Sequence, residues 1–266
     1  MALKTLFTFP GKIGDCFNQW PIAYQWSKER HQQIDVGISD YLVPVKTLLE
    51  SQKCVDRVLV VGRMVDYFDT NYVRYLDLQP GGDYASVYNF GFRRFPRRQV
   101  TLDQRQHVPD LELSDERLAE EPSIFVEPKG VPSNACVVHS NSIEWSVKVL
   151  APLLSLLRER FEVLYWVSPD QPLPEGFEKF EDGGNFLELA RLIARCRMTL
   201  GPTSAVVPLA GAMKIPCINV NFGDRSLPVF HNLGPNQLNL TCVLDDVKSE
   251  VEKFIEERAW TRSEKP

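Results

Sequence analysis

The sequence predicts an α/β protein built from parallel sheets, organised in two halves of similar grammar. Three observations carry that expectation. Short apolar runs of strand length alternate with longer stretches of helical periodicity. Several of the runs give way to a Gly- or Ser-containing turn that opens a helix. The alternation occurs twice, on either side of a cluster of prolines and glycine between Glu121 and Pro132.

In chain order, Leu6-Phe7-Thr8-Phe9 suits a buried parallel strand. The turn Pro10-Gly11-Lys12-Ile13-Gly14-Asp15 follows, and then a helix to about Arg30 with Phe17, Trp20, Ala23 and Tyr24 on one face. Ile34 to Ile38 is the second strand, Val43 to Gln52 a helix, and Arg57 to Val61 a third strand. The second half opens with the strand Ala135 to His139, the polar turn Ser140-Asn141-Ser142, and a helix carrying Val149, Leu150, Leu153, Leu154 and Leu157. A strand at Val163–Val167, a helix at Phe186–Cys196 and a short strand at Met198–Gly201 come next. A helix at Ser204–Met213, a strand at Cys217–Val220 and a last helix from Val247 to about Arg258 complete the pattern. Val247, Val251, Phe254 and Ile255 form one stripe on that last helix, so it packs on something. The expected units are residues 1–122, 123–246 and a C-terminal helical segment, 247–266.

Composition narrows the class. The 266 residues hold 30 Lys and Arg against 35 Asp and Glu, a formal charge of 30 − 35 = −5, and 44% are hydrophobic. That balance is ordinary for a folded domain pair and leaves enough chain to bury a core without staples. No apolar run approaches the ~18 residues of a membrane helix. The N-terminus shows no signal-peptide pattern. Six cysteines are scattered without CxxC spacing, which reads as reduced thiols in a cytoplasmic protein rather than a disulfide frame or zinc site. Four histidines, none near another in sequence, give no His-based metal motif; no metal site and no cofactor are expected. The acidic average argues against a general nucleic-acid coat but allows a local basic patch.

Three segments could carry chemistry. The first is Gly14-Asp15, between strand and helix, where open α/β sheets place their ligands. A glycine there lets the backbone come close to a substrate. Asp15 either caps the helix or accepts a proton from a hydroxyl nucleophile, a role typically contributing ~10²–10⁴ in rate. Neither a P-loop nor a dinucleotide fingerprint is present. The second is the pair of turns Ser140-Asn141-Ser142 and Gly201-Pro202-Thr203-Ser204-Ala205, each small, hydroxyl-bearing and ahead of a helix. Each is either an ordinary cap or an anion site; two in one half suit a pyrophosphate ligand. The third lies between Tyr84 and Leu102, which holds no acid but has Arg93, Arg94, Arg97 and Arg98 interleaved with Tyr88, Phe90, Phe92 and Phe95. Such a set is either a solvated basic loop or a surface that binds phosphates and stacks on rings or bases. Six acids between Asp110 and Glu121 follow it as a solvated linker. His139 reads as a structural or ligand-loop residue, and Trp20, Trp26, Trp145, Trp166 and Phe186 as core.

At these residues the sequence resembles the ADP-heptose:lipopolysaccharide heptosyltransferases, glycosyltransferase family 9. Gly14-Asp15 with Pro21 and Ala23, Ile34-Asp35-Val36 and Val55-Asp56-Arg57-Val58 match its first domain. Val137-Val138-His139-Ser140, Trp145, Phe186 to Ile193, Gly201 to Ala205, Pro208-Leu209-Ala210, Ile215-Pro216 and Asn221-Phe222-Gly223 match the second. The ordered matches run over residues 3–62 and 123–223. The resemblance implies the GT-B fold: two facing Rossmann-like domains, the N-terminal one for the acceptor and the C-terminal one for a nucleotide-sugar, with a C-terminal helix that crosses back. It implies inversion without a metal and makes Asp15 the catalytic base. Gly14, His139, Ser140, Asn141, Ser142, Lys148, Thr203, Ser204 and Ala205 would then serve the donor. Arg93, Arg94, Arg97, Arg98, Phe90 and Phe92 would engage a phosphate-bearing acceptor. The family's donor loop reads Asp-Ser-Gly and, after two more residues, His; this chain has Thr203, Ser204, Ala205 and Pro208. The basic residue expected before the tryptophan is Glu144, with Lys148 as its substitute. The departures imply a short, divergent relative with a different substrate pair. Two alternatives accompany that reading: a phage-type enzyme glycosylating a 5-hydroxymethyl pyrimidine in DNA, and a non-catalytic nucleotide-sugar-binding module.

Overall fold

A computed structural model describes residues 4–9, 13–38, 40–60, 72–77, 122–130, 132–140, 142–166, 185–202, 204–221, 236–241 and 247–259. Strand β1 (Lys4–Phe9) leads into the long helix α1 (Ile13–Arg30), and β2 (Ile34–Ile38) follows. A 3-10 helix, Asp40–Val45, then runs into the short α2 (Lys46–Glu50), where the sequence suggested one helix. Pro44 near the junction lacks the amide an α-helix would use, which favours the split. Strands β3 (Val55–Val60) and β4 (Tyr72–Asp77) complete a four-stranded sheet in the order β3-β2-β1-β4. Every pairing in it is parallel, with Phe7 opposite Val36 on one side and Leu76 on the other.

The second sheet begins with β5 (Ala135–His139). After it come α3 (Ile143–Trp145), a π-helical turn at Ser146–Leu150, and α4 (Ala151–Arg160). Pro152 explains the π turn. It offers no N–H to the carbonyl of residue 148, and its ring would collide with that carbonyl in an α-helix. The ladder widens instead, and the amide of Ala151 reaches five residues back to Ser146 O. Next are β6 (Glu162–Trp166), α5 (Phe186–Arg195), β7 (Met198–Gly201), α6 (Val206–Ala212), β8 (Cys217–Asn221) and β9 (Gln237–Thr241). The strand order is β6-β5-β7-β8-β9, again parallel throughout. Helix α7 (Val247–Phe254) and a further π turn, Ile255–Ala259, bury Val251, Phe254 and Ile255 against this sheet's outer helical layer.

One apolar core joins the two sheets. Phe17, Trp20 and Ala23 of α1 share it with Phe186, Leu189 and Ile193 of α5 and with Val206, Leu209 and Ala210 of α6. All five tryptophan and phenylalanine positions read as core (Trp20, Trp26, Trp145, Trp166, Phe186) are buried. The crossing segment is tied at both edges. Trp20 Nε1 donates to Ser123 O at 2.7 Å, and Ser123 N donates to Ala212 O at 2.8 Å. The buried Gln52 amide pairs with the Phe125 backbone as a strand would, receiving Phe125 N at 2.8 Å and donating to Phe125 O at 3.1 Å. Among the described residues no helix is long and apolar enough to cross a membrane.

Both described non-glycine residues at positive φ end helices. His31 (φ 50°) follows α1 and Lys214 (φ 59°) follows α6. His31 N bonds Lys28 O while Gln32 N bonds Ser27 O; Lys214 N bonds Gly211 O while Ile215 N bonds Ala210 O. These are paired Schellman closures, made here without the glycine that usually occupies the left-handed position.

Candidate functional site

The strand orders define where a ligand can enter. In the first sheet the chain reverses its direction of growth between β1 and β4; in the second it does so between β5 and β7. Ligands of doubly wound sheets sit outside the carboxyl ends of strands at such a switch point. The turns singled out in the sequence leave β1, β5 and β7, so all of them lie at switch points. Within these turns Asn141 and Thr203 lie outside the described residues, as do Arg93, Arg94, Arg97, Arg98, Phe90 and Phe92 elsewhere. For Asp15 the backbone is described: it belongs to the first turn of α1.

The turns after β1 and β7 touch. A Cβ built on Gly14 would stand 3.5 Å from Ser204 O and 3.7 Å from Ala205 N, ordinary contact with the backbone of the other sheet's turn. Asp15 is the next residue along α1. The Ser204 hydroxyl is buried and has no hydrogen-bond partner among the described residues. A buried hydroxyl without a partner loses solvation with no return. Below it the packing is tighter. A Cβ on Gly201 would stand 3.2 Å from His139 O, closer than side chains normally approach a carbonyl.

His139 is buried at the end of β5, its Nδ1 3.0 Å from Trp166 O. Since a carbonyl only accepts, Nδ1 carries a hydrogen. Burial pushes its pKa down to about 4, although the bond to Trp166 O opposes the shift. A row of rings then runs from the first sheet's helix to this histidine. Phe17 lies 5.8 Å from Phe186, Phe186 5.9 Å from Trp166, and Trp166 4.7 Å from His139, centroid to centroid.

The turn after β5 is braced by hydroxyls. Ser140 Oγ donates to Ser142 O at 2.7 Å, and Ser142 Oγ accepts from Trp145 N at 3.1 Å, capping α3. Ser146 Oγ lies 2.8 Å from Ser140 Oγ and 2.9 Å from the Tyr165 hydroxyl. Trp145 Nε1 pins α3 to the second sheet through Val220 O at 2.9 Å. Lys148 is exposed and ion-paired with Glu144 at 2.8 Å, so its charge is shared with that acid. Ser146 and Tyr165 were not picked out by sequence reasoning. Tyr165 is brought in by strand register, opposite Val138 of β5, and no local spacing signals that. Among the described residues no group of three or more His, Cys, Asp or Glu is arranged to hold a metal. Among the described cysteines, burial raises the thiol of Cys54 to about 11 and that of Cys217 to about 12.

No protein-family model matches this sequence, and no curated protein is detectably similar to it. Solved structures are. A family 9 glycosyl transferase from Veillonella parvula superposes over 98% of this chain and 99% of its own at TM-score 0.62, with 13% identity. The E. coli heptosyltransferase WaaC, solved with ADP, does so over 96% and 100% at 0.62, with 15% identity. The iron-containing dodecameric glycosyltransferase TibC of enterotoxigenic E. coli matches 90% of this chain and 63% of its own at 0.55, with 18% identity. The chain has the GT-B fold, and the likeness to family 9 heptosyltransferases seen in its sequence holds at the level of that fold.

Proposed function

We propose that the protein is a glycosyltransferase that moves a sugar from a nucleoside-diphosphate donor to an acceptor hydroxyl. One observation carries the reading: the turn holding Asp15 and the turn holding Ser204 meet at Gly14, although they belong to different sheets. An acceptor bound over the first sheet and a donor bound over the second would be presented to each other at that seam. Proximity of this kind is a main source of rate enhancement in transfer reactions.

In this mechanism the Asp15 carboxylate takes the proton of the acceptor hydroxyl. The freed oxygen pair attacks the anomeric carbon, the bond from that carbon to the diphosphate breaks, and the nucleoside diphosphate leaves with inversion. Gly14 permits the close approach. Ser142, Asn141, Thr203, Ser204 and Ala205 receive the diphosphate, Ser140 shapes the first turn, His139 supports it from below, and Lys148 contributes a shared positive charge. Metal independence and a cytoplasmic location are part of the proposal, the latter fitting the scattered cysteines. A phosphate-bearing acceptor would be gripped by Arg93, Arg94, Arg97 and Arg98 with Phe90 and Phe92; saccharide and hydroxymethylated DNA both present that chemistry.

The test is a screen of nucleotide-sugars for donor consumption, with lipopolysaccharide core and hydroxymethylated DNA as acceptors and a chelator in parallel. Asp15→Ala should abolish transfer, a loss of at least ~10²-fold, while nucleoside diphosphate still binds. Unchanged turnover in that variant would remove Asp15 as base, and activity lost to the chelator would end the metal-free reading.

A further inference from the structure

The hydroxyl cluster beside the β5 turn has a direction. Each hydroxyl owns one hydrogen, and the Ser142 carbonyl can only accept. Ser140, at 2.7 Å, therefore gives its hydrogen to Ser142 O. Ser140 Oγ then accepts from Ser146 at 2.8 Å and from Ser142 N at 3.3 Å. Ser146 Oγ also lies 3.2 Å from Ser142 O, so its hydrogen goes to Ser140 Oγ or to that carbonyl. With that hydrogen engaged, the phenol is the donor across the 2.9 Å contact to Tyr165. The hydrogens run one way, from Tyr165 in the core through Ser146 and Ser140 to the Ser142 carbonyl. Tyr165 is 1% exposed on β6, and its strand is in register with β5. The relay thus ties the turn to the rigid sheet rather than to solvent.

This arrangement separates two kinds of serine. Ser140 donates once and accepts twice, which leaves no hydrogen for a ligand. Ser142 accepts from Trp145 N, is exposed, and gives its own hydrogen to no acceptor among the described residues. Ser146 opens the π turn, and Pro152 stands two residues past that turn's end.

We infer that Tyr165 and Ser146 are positioning residues for the diphosphate of the donor, acting by fixing the Ser140–Ser142 turn so that Ser142 faces the phosphates. This rests on the transferase reading above. Removing the Tyr165 hydroxyl leaves Ser146 without its donor inside a half-buried site, and the turn gains freedom that binding must then remove. A hydrogen bond of this kind corresponds to roughly a five- to tenfold change in affinity.

The experiment is calorimetric titration of the 266-residue protein with ADP, UDP and GDP, for the wild type, Tyr165→Phe, Ser146→Ala, Ser146→Thr and the Tyr165→Phe/Ser146→Ala pair. The best-binding nucleotide should bind Tyr165→Phe and Ser146→Ala about five- to tenfold more weakly. The double variant should be no weaker than either single one, because both break the same chain. Ser146→Thr, which keeps the hydroxyl, should restore binding. In turnover, the KM for the donor should rise while kcat and the KM for the acceptor stay level, a split that general destabilisation would not produce. Wild-type affinity in Tyr165→Phe, or additive losses in the double variant, would overturn the relay. Failure of the wild type to bind any of the three nucleotides would instead overturn the transferase reading, and the inference with it.

Discussion

Replacing Gly201 by alanine should show how closely the seam between β5 and β7 is packed. The new Cβ would stand 3.2 Å from His139 O, 3.5 Å from His139 Cβ and 3.6 Å from Val207 Cγ2. The carbonyl is backbone in the middle of a parallel sheet and cannot rotate away, so two strands must separate by a few tenths of an ångström. Overpacking of this sort costs about 1–3 kcal/mol, while losing a glycine from the unfolded chain returns about 0.4–1 kcal/mol. The net expectation is a loss of about 1–2 kcal/mol, or about 2–5 °C in Tm for a protein of this size. Gly14→Ala is the matched comparison. Its Cβ meets Ser204 O at 3.5 Å, an ordinary contact, so it should be neutral or slightly stabilising. Urea unfolding and thermal melts read both. Gly201→Ala as stable as the wild type, or Gly14→Ala as damaging as Gly201→Ala, would refute the packing argument.

Two other expectations follow from residues outside that seam. His139 has its pKa lowered to about 4 by burial, against about 6.5 when unfolded. The folded state therefore holds fewer protons between those values, so stability is complete above pH 6.5 and falls as pH drops towards 4. At pH 5 the loss from this group is about 2 kcal/mol, and His139→Asn should flatten the slope; an unchanged slope would assign it to other groups. His31→Gly and Lys214→Gly should each stabilise the fold by roughly 0.5–1 kcal/mol, since both residues hold a left-handed conformation that glycine adopts freely. For Lys214 the gain includes relief of an amine whose burial draws its pKa down to about 8. A melt that moves downward in either variant would show that the native side chain does more than end its helix.

The fold was legible where apolar runs were continuous. Strands β2, β5 and β7 are fully buried, and their bounds agree with the sequence reading. Strand β9 was not read, because Gln237, Asn239 and Thr241 alternate with only two leucines at the edge of the sheet. Strand β4 also escaped: Tyr72–Asp77 carries Arg74 and Asp77 among its six residues. The helix ends near Arg30 and Met213 were legible, but the left-handed closures at His31 and Lys214 were not, because neither position carries the glycine that marks such a turn. The site divides the same way. Gly14, Ser140, Ser142 and Ser204 could be named because they stand in strand-to-helix turns. That Gly14 meets Ser204, or that Tyr165 reaches Ser146, depends on how helices stack and strands register, over separations that no local pattern records.

The ties across residues 122–126 bear on how the chain can be divided. Trp20 is fully buried, its indole is satisfied by Ser123, and Ser123 is itself held by the end of α6. A fragment ending at residue 122 would lift Phe17 and Trp20 out of their shared core and remove the Ser123 O acceptor of the Trp20 indole and the Phe125 N donor to Gln52 Oε1. The complementary fragment would expose the apolar faces of α5 and α6. Although each half has a Rossmann-like sheet of its own, neither should be recoverable as a soluble unit, and the intact chain should unfold in one transition.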